Sequence, residues 1–515
     1  MKRATIKNLA TGFAPDIPNL DLPPGAWTDS RNVQYRDGAV EKCPGYAQAL
    51  GSLSATSIFT APISDGVNYF WVYGSETVMY ATDGTTHANI TGTITLAATA
   101  DLGYTGGPFN GYMIVNDGVG IPQSWAPSLS NDLVSLTAWP SVNVTARVIR
   151  PWKSFLIALR VTDTGSYNSR LMRWSDAAQQ GSLPLSWDYA DPTNQSGIVE
   201  FGQTEDQLID CMPLRDSLII YKENHTWQAD YVGGFDIFSF RQILSEVGAM
   251  TENCVASIGT SHLVLGTEDV IVHDGNSTRS LLDRRTRRWF FNRINTTRHN
   301  RCFVTVDYGN RQAFICIPEA GYDYPNLALV WNWAEDTLHP FELGGAKTFG
   351  NHGIVSSSST ETFDGASGTF DADSGVFDEE TFSPFDRKMV LLDSAAKKFY
   401  QYPSGETYDG VAMSCYAERL GTPVTEDLGG IKRVWRIWPQ VIGDVGDSLR
   451  FWIGSREALS GPVSYTGPYD FVIGTDNWID VRFDARVIDL RVEYTGTSTF
   501  RLHGMNVDYE DSGDR

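Results

Sequence analysis

Short runs of alternating hydrophobic and polar residues, separated by turns rich in Gly, Asn and Asp, recur along most of the chain. The clearest example is Cys302–Ile317, in which CFVTVDY and RQAFICI flank Gly309-Asn310. A period of two places Val304 and Val306 on one face of the first strand and Phe303 on the other. The pattern therefore predicts a β-hairpin with a two-residue, type II′ turn that is covered on both faces.

Comparable strand–turn–strand units recur between residues 52 and 402. Their irregular spacing of about 45 to 60 residues is typical of a β-propeller, and we predict five to seven blades around a channel. A series of β-sandwiches without radial repetition is the alternative. The predicted strand pairs include Asn68–Tyr73 with Thr77–Tyr80, Phe155–Val161 with Ser169–Trp174, Ser217–Tyr221 with Thr226–Tyr231, and Lys388–Leu392 with Lys398–Tyr402.

The two ends of the chain differ from this central part. Residues 1–51 contain a Pro-rich extended stretch and then a hairpin signal around Arg36-Asp37-Gly38, so we expect an N-terminal arm and hairpin that make platform contacts. Residues 403–515 contain about seven predicted strands and are expected to form a β-sandwich of jelly-roll type. The predicted fold is all-β, with boundaries at 1–51, 52–402 and 403–515.

Composition narrows the class of protein. The 515 residues are 42% hydrophobic and carry a formal net charge of −22, which disfavours binding nucleic acid through its phosphates. No apolar region follows Met1-Lys2-Arg3, and no run of about 18 apolar residues occurs, so neither a signal peptide nor a membrane span is expected. The six cysteines are scattered and are expected to be reduced and buried.

A basic segment interrupts the strand pattern at residues 280–301, where a short helix is predicted. Eight arginines and a single acid, Asp283, lie between Arg279 and Arg301. Such a helix could dock on an acidic neighbouring subunit or on DNA phosphates, or it could pair with acidic residues of its own chain. The residues proposed for partner or subunit contact are Arg284, Arg285, Arg287, Arg288 and Trp289.

An acidic segment of low complexity follows at residues 361–386. Phe363, Phe370 and Phe377 recur every seven residues, each before an Asp, among eight acids and no base. These three phenylalanines are proposed to anchor short turns to the propeller or to a neighbouring subunit. The stretch Asp371–Gly375 resembles part of a Ca²⁺ loop, but its ligand set is incomplete, so no metal is assigned.

Motifs that carry catalysis are missing from the sequence. G-x-S-x-G, H-E-x-x-H and C-x-x-C do not occur, and the eight histidines lack metal-ligand spacing. The sequence does not exclude a pair of carboxylates of the kind that glycosidases use, because the distance between the two groups depends on the fold. We predict no enzyme activity and no cofactor.

The N-terminal stretch Ile6–Gly45 contains IKNL, SRNV, DG, EK and PG in a fixed order. This arrangement resembles the opening of the tail nozzle proteins of short-tailed bacteriophages, the tail tubular protein B family. It is also similar to the "DNA stabilisation" tail hub proteins of another group of short-tailed phages. The chain is similar to the tail hub proteins in three further features. These are a basic helix that precedes the hairpin, aromatic–Asp repeats, and strands at the C-terminal end.

The resemblance implies a structural virion protein of the phage tail. It would form a homohexameric ring that extends the DNA ejection channel and helps to retain packaged DNA. The implied partners are a tail adaptor protein, tail fibres or spikes, a tail tip or needle protein, and double-stranded DNA in passage. Alternatives are a carbohydrate-active propeller with a glycan-binding sandwich, or a receptor adhesin that uses Trp435, Trp438, Trp452 and Trp478.

Overall fold

The computed structural model describes residues 1–23, 25–234, 236–355, 387–423, 430–456 and 462–512. These residues are almost entirely β-structure, with one short α-helix, so the all-β prediction is confirmed. Seven four-stranded sheets form a propeller, and two larger sheets form a second unit. The N-terminal strands are β1 (Lys2–Lys7), β2 (Gly12–Phe13), β3 (Ala26–Trp27), β4 (Asp29–Arg31), β5 (Val33–Arg36), β6 (Ala39–Lys42) and β7 (Ala47–Ser52).

The propeller follows in chain order, blade by blade. Blades 1 to 3 comprise β8 (Phe59–Ser64), β9 (Tyr69–Gly74), β10 (Met79–Thr82) and β11 (His87–Asn89); β12 (Thr105–Phe109), β13 (Tyr112–Asn116), β14 (Gln123–Trp125) and β15 (Val134–Ser135); and β16 (Thr145–Trp152), β17 (Phe155–Asp163), β18 (Ser166–Trp174) and β19 (Gly197–Glu200). Blades 4 and 5 comprise β20 (Leu208–Leu214), β21 (Ser217–Lys222), β22 (His225–Tyr231) and β23 (Phe238–Ser245); and β24 (Val255–Ser257), β25 (His262–Leu265), β26 (Val270–His273) and β27 (Thr278–Ser280).

The helix α1 (Asp283–Phe291) and a 3₁₀ turn (His299–Arg301) connect blades 5 and 6. Blades 6 and 7 comprise β28 (Phe303–Asp307), β29 (Gln312–Ile317), β30 (Leu327–Asn332) and β31 (Thr337–Glu342); and β32 (Lys347–Ile354), β33 (Arg387–Asp393) and β34 (Lys398–Tyr402). The C-terminal strands are β35 (Thr407–Tyr408), β36 (Val411–Ala412), β37 (Cys415–Pro423), β38 (Lys432–Gly443), β39 (Ser448–Arg456), β40 (Tyr465–Val472), β41 (Ile479–Ala485), β42 (Val487–Tyr494) and β43 (Phe500–Asp511).

The first strand of each blade faces the propeller axis. Each of these inner strands contacts the inner strands of both neighbouring blades, and β32 contacts β8 to close the ring. The fourth strand of blade 7 is β7, which pairs antiparallel with β34. The ring is therefore closed by a strand from the N-terminal part of the chain. The described blades number seven, within the predicted range of five to seven.

Proline suits the inner strands because their axial edge has no hydrogen-bonded partner strand. Pro62, Pro108, Pro151 and Pro213 lie in the inner strands of the first four blades and line the channel. A residue without an amide hydrogen leaves no unpaired donor there, and it prevents the edge from pairing with another chain. Position 106 requires glycine because the backbone of the neighbouring strand lies very close. A Cβ on Gly106 would lie 2.0 Å from the carbonyl oxygen of Ile114.

The second unit consists of two antiparallel sheets. One has the order β41-β38-β43-β6-β5, with β1 also paired to β43; the other has the order β4-β37-β42-β39-β40. Residues such as Val434 and Leu502 from the first sheet and Leu449 and Val492 from the second belong to one buried hydrophobic cluster. The same cluster includes Phe341 from the outer strand of blade 6, so this unit packs against the propeller.

Residues 1–51 do not form a separate arm in the structure. The predicted hairpin exists as β5 and β6, but β6 extends β43, β4 extends β37, and β7 belongs to blade 7. The expected boundary near residue 51 therefore does not separate two folding units. The segment pairs with the free edges of three different sheets. A local sequence pattern does not show where such edges lie.

The hairpin Cys302–Ile317 is present, with a different turn. Asp307 pairs with Gln312, so four residues, Tyr308–Arg311, form the loop instead of two. The carboxylate of Asp307 accepts hydrogen bonds from the amide of Gly309 at 3.1 Å and from the side chain of Asn310 at 2.8 Å, which stabilises the longer turn. All residues of β28 and β29 are buried, which confirms that both faces are covered.

Candidate functional site

The basic segment contains the predicted helix, although the helix is shorter than the segment. Helix α1 spans Asp283–Phe291 and buries Thr286 and Phe290. Leu281, Leu282 and Ile294 are buried in the same hydrophobic cluster but lie outside the helix. The expected apolar face is therefore formed partly by residues that flank α1.

Most of the segment's arginines pair with acids of the same chain. Five of the eight form ion pairs: Arg279 with Asp336, Arg287 with Glu268, Arg293 with Glu319, Arg298 with Asp101 and Asp323, and Arg301 with Asp101. Arg284, Arg285 and Arg288 form no ion pair with a described residue. The five pairs agree with the second of the two interpretations drawn from the sequence, but the three arginines without an ion pair among the described residues all lie in the helix itself, and their role as partner or subunit contacts stays a prediction.

Helix α1 is held by the N-terminal segment through Asp16. The carboxylate of Asp16 accepts hydrogen bonds from the backbone amides of Arg288 at 2.6 Å and Trp289 at 3.1 Å, and its own amide donates to the carbonyl of Arg285 at 2.9 Å. The ring of Trp289 packs edge-on against Phe13, with centroids 4.8 Å apart. Trp289, predicted as a contact residue, thus contacts the chain's own N-terminal part.

Phe363, Phe370 and Phe377 lie outside the described residues, as does the rest of the acidic segment 361–386. The strands that flank it, β32 and β33, are the first and second strands of blade 7. We call the face of the propeller that carries the loops between the first and second strands of the blades the turn face.

A cavity of about 430 Å³ occupies the propeller axis and is lined by all seven inner strands. Its wall is mostly apolar, with contributions from Phe59, Val304, Val306 and Phe349. A wall of this kind offers shape and apolar surface to an occupant but few hydrogen-bonding groups.

One polar network crosses the apolar wall. Arg150 forms a two-pronged ion pair with Asp210, with both contacts at 2.7 Å, and donates a further bond to the side chain of Asn253 at 2.8 Å. These residues belong to, or directly precede, the inner strands of blades 3, 4 and 5. Because its charges are paired, the network ties three blades together.

A second polar cluster lies on the face opposite the turn face, where the inner strands begin. Arg147 and Arg160 both bind the carboxylate of Glu252, the former at 2.9 Å. Burial lowers the pKa of each guanidinium group to about 10, so both remain charged at neutral pH. Arg160 lies at a β-bulge with φ of 52°, a conformation that non-glycine residues seldom adopt. No sequence signal indicated this cluster.

Two further sets of titratable groups, an ion pair and the cysteines, are buried in the fold. Lys347 and Asp393 form an ion pair at 2.8 Å, and the Lys347 ammonium lies 4.5 Å from the ring centroid of Tyr400. Burial lowers the pKa of Lys347. All six cysteines are free thiols and buried, as predicted, and burial raises the pKa of Cys254 to about 11. These groups stabilise the blades and are unsuited to nucleophilic chemistry.

Two tryptophans, Trp438 (half-buried) and Trp478 (exposed), contact each other with tilted rings on the six-stranded sheet of the second unit. The centroids of Trp438 and Trp478 are 4.9 Å apart, with Arg3 over the first ring at 4.8 Å and Arg436 over the second at 5.1 Å. Trp478 is 39% exposed. Among the aromatics considered for an adhesin, Trp438 and Trp478 are brought together; Trp452 donates to Glu493, across the other sheet.

Within the described part of the chain, His, Cys, Asp and Glu residues form no group of three suited to a metal ion. None of the helices found there is long and apolar enough to cross a bilayer.

Comparison with known proteins yields similarity of structure only. No protein-family model and no curated protein matches the sequence. PorZ, described as a surface component of the type-IX secretion system of Porphyromonas gingivalis, aligns at 9% identity and a TM-score of 0.37, over 76% of this chain and 44% of that one. The chain thus spans less than half of PorZ.

Two further solved structures show comparable similarity. Hsv2 of Kluyveromyces marxianus aligns at 7% identity and a TM-score of 0.30, over 55% of this chain and 69% of that one. The AfRom2 CNH domain aligns at 8% identity and a TM-score of 0.33, over 70% and 97%. Values this low assign no function to the chain.

Proposed function

We propose that the chain is a structural protein of the virion, the ring-forming nozzle or hub at the distal end of a short phage tail. The observation that carries the proposal is the sequence of Ile6–Gly45, which resembles the opening of the nozzle family. In the fold this stretch is not a peripheral tail, because it supplies strands to both large sheets and holds helix α1. The resemblance over this stretch therefore concerns residues on which the architecture depends.

In this proposal six copies form a closed ring below the tail adaptor protein, in contact with tail fibres or spikes and with a tip or needle protein. A closed ring requires a heterologous interface that returns on itself. The axial cavity of the propeller holds about 430 Å³ and is crossed by the Arg150 network, which leaves no room for duplex DNA. The DNA path would therefore run between copies, along the axis of the ring.

The charge distribution supports a passage whose wall does not bind DNA. The chain carries a net charge of −22, and most arginines of the basic segment are neutralised by acids of the same chain. A wall of this kind repels the phosphate backbone, so packaged DNA can move without binding. The proposed role requires no catalysis and no cofactor.

Electron microscopy of the purified protein, alone and with its tail adaptor, tests the proposal. We expect ring-shaped particles with a central opening wider than a DNA duplex, and a mass by light scattering close to six chains. A protein that stays monomeric at all concentrations and does not join tails would refute the nozzle assignment.

The adjacent rings of Trp438 and Trp478 favour a second candidate, a tail protein that binds or degrades host glycans. Aromatic faces flanked by charged side chains are common in carbohydrate sites, although here Arg3 and Arg436 already cover parts of both rings. Incubation with host polysaccharide separates the two candidates. Release of reducing ends, or binding that Trp478→Ala abolishes, favours the glycan function; assembly into rings without either result favours the nozzle.

A further inference from the structure

Three consecutive blades repeat one local pattern at the end of their inner strands. Proline is followed by a large apolar residue and then by a residue with positive φ, in Pro108-Phe109-Asn110, Pro151-Trp152-Lys153 and Pro213-Leu214-Arg215. The φ angles of the third residues are 48°, 51° and 56°. Left-handed conformations at Lys and Arg are uncommon and are retained only where the surrounding structure requires them.

The three repeats meet in one groove on the turn face. Its volume is about 390 Å³, and it is lined by all residues of the three patterns except Leu214, together with Asp216. Pro108 and Pro213 are exposed and Pro151 is half-buried, whereas Phe109 and Trp152 are buried beneath them. The floor of the groove is therefore apolar and rigid, and its prolines supply no amide donors.

Two cationic side chains, Lys153 and Arg215, lie at the edge of the groove. Lys153 is exposed and lies 5.4 Å from the ring centroid of Trp152 and 5.7 Å from that of Tyr231. Arg215 is exposed and donates only a long hydrogen bond of 3.4 Å, to the carbonyl of Thr260. Within the described residues neither forms an ion pair, unlike most arginines of the basic segment, and Asp216 is the groove's single acid.

We infer that this groove binds an extended, acidic peptide segment of a partner protein. The proline-lined floor packs well against an extended backbone, because both sides are rigid and little conformational entropy is lost. Lys153 and Arg215 then pair with carboxylates of the peptide, which complements their unpaired charge. The inference rests on the groove alone and does not depend on the proposed ring.

Fluorescence anisotropy with a labelled twelve-residue peptide of alternating Asp and Leu tests the inference. We expect saturable binding that weakens as salt rises, and a loss of about tenfold or more in affinity in the double variant Lys153→Glu/Arg215→Glu. The matched control is Arg311→Glu, since Arg311 is also exposed, also has a positive φ of 54°, and lies in the corresponding loop of blade 6, outside the groove. This control is expected to bind like the wild type.

Three results would overturn the inference. The first is no binding of the acidic peptide by a wild-type protein whose thermal unfolding shows it to be folded. The second is an equal loss of affinity in the double variant and in Arg311→Glu, which would point to general charge attraction. The third is tighter binding of duplex DNA or of a lysine-substituted peptide than of the acidic peptide. None of these measurements depends on assembly into rings. A negative result for the groove therefore does not bear on the nozzle proposal, which electron microscopy tests.

Discussion

Single residues in blades 4 and 5 show how burial and hydrogen bonding fix a protonation state. His262 donates from Nε2 to the carbonyl of Pro213 at 2.9 Å, so its Nδ1 accepts the hydroxyl proton of Tyr221 at 2.7 Å. The Tyr221 oxygen then accepts from Nε2 of His273 at 2.7 Å, and Nδ1 of His273 accepts from the amide of Gly275. Every polar atom is satisfied with both rings neutral, and a further proton on either ring would find no acceptor.

This arrangement predicts a loss of stability in mild acid. Burial lowers the pKa of His262 and of His273 to about 4, against about 6.5 in an unfolded chain. Below pH 6.5 the unfolded state therefore binds more protons, and stability falls by about 2 kcal/mol per histidine between pH 7 and pH 5. In His273→Gln the fall in the urea-unfolding midpoint between these pH values is expected to be smaller than in the wild type.

The control for this experiment is His299→Gln, because His299 is exposed. It is expected to keep the wild-type difference between pH 7 and pH 5. An unchanged difference in His273→Gln would show that the buried pair does not contribute to acid sensitivity. No sequence pattern indicated the pair, since His262 and His273 meet only because β25 and β26 align them and blade 4 supplies Tyr221.

At the scale of elements, helix α1 depends on a residue far from it in sequence. Asp16 contacts the amides of Arg288 and Trp289 and the carbonyl of Arg285. In Asp16→Ala we expect a destabilisation of about 1–3 kcal/mol, because two helix amides lose a charged acceptor. Hydrogen exchange measured by mass spectrometry is expected to accelerate in peptides that cover residues 283–291.

Asp21→Ala is the matched control, because Asp21 lies in the same segment, is exposed and has no described side-chain partner. It is expected to leave exchange in α1 unchanged. Equal acceleration in both variants would mean that the helix responds to the loss of segment charge, not to the Asp16 contacts.

Removal of two N-terminal strands is expected to have very different consequences. Strand β1 is an edge strand with mostly exposed side chains, so deletion of residues 2–7 should lower the thermal midpoint only modestly. Deletion of residues 2–52 also removes β7, which leaves blade 7 with three strands and the ring without its closing pair. We expect that variant to be insoluble or to lose cooperative unfolding by circular dichroism. A soluble, cooperatively folded product would refute the role of β7 in closure.

The elements differ in how far the sequence predicts them. Hairpins such as β28–β29 follow from local alternation and turn residues, although the Asp307 hydrogen bonds lengthened the turn beyond the expected two residues. The distribution of β4, β5, β6 and β7 over three sheets depends on pairing across hundreds of residues, which alternation cannot indicate. The arginines of the basic segment formed a recognisable cluster in the sequence, but the acids that pair with Arg279, Arg298 and Arg301, namely Asp101, Asp323 and Asp336, carry no local signal.

At the scale of the whole molecule, net charge and the pairing of arginines determine whether the protein binds DNA. Non-specific binding at physiological salt has dissociation constants of about 10⁻⁴ to 10⁻⁶ M and requires several unpaired cations that replace counterions. The net charge is −22, and Arg298 and Arg301 are both engaged by Asp101. We therefore expect no binding of a labelled 30-base-pair duplex in 150 mM NaCl at protein concentrations up to about 100 µM.

The double variant Asp101→Asn/Asp323→Asn provides the comparison, because it frees Arg298 and Arg301 without changing side-chain size. It is expected to bind the duplex measurably in 50 mM NaCl and to lose that binding steeply as salt rises, since each freed arginine adds to the counterions released. Micromolar binding by the wild type would contradict a passage that repels DNA. If neither the wild type nor the variant binds the duplex even in 50 mM NaCl, repulsion by the net negative charge exceeds the attraction of the freed arginines. The arginine–acid pairs would then stabilise the fold without affecting DNA binding.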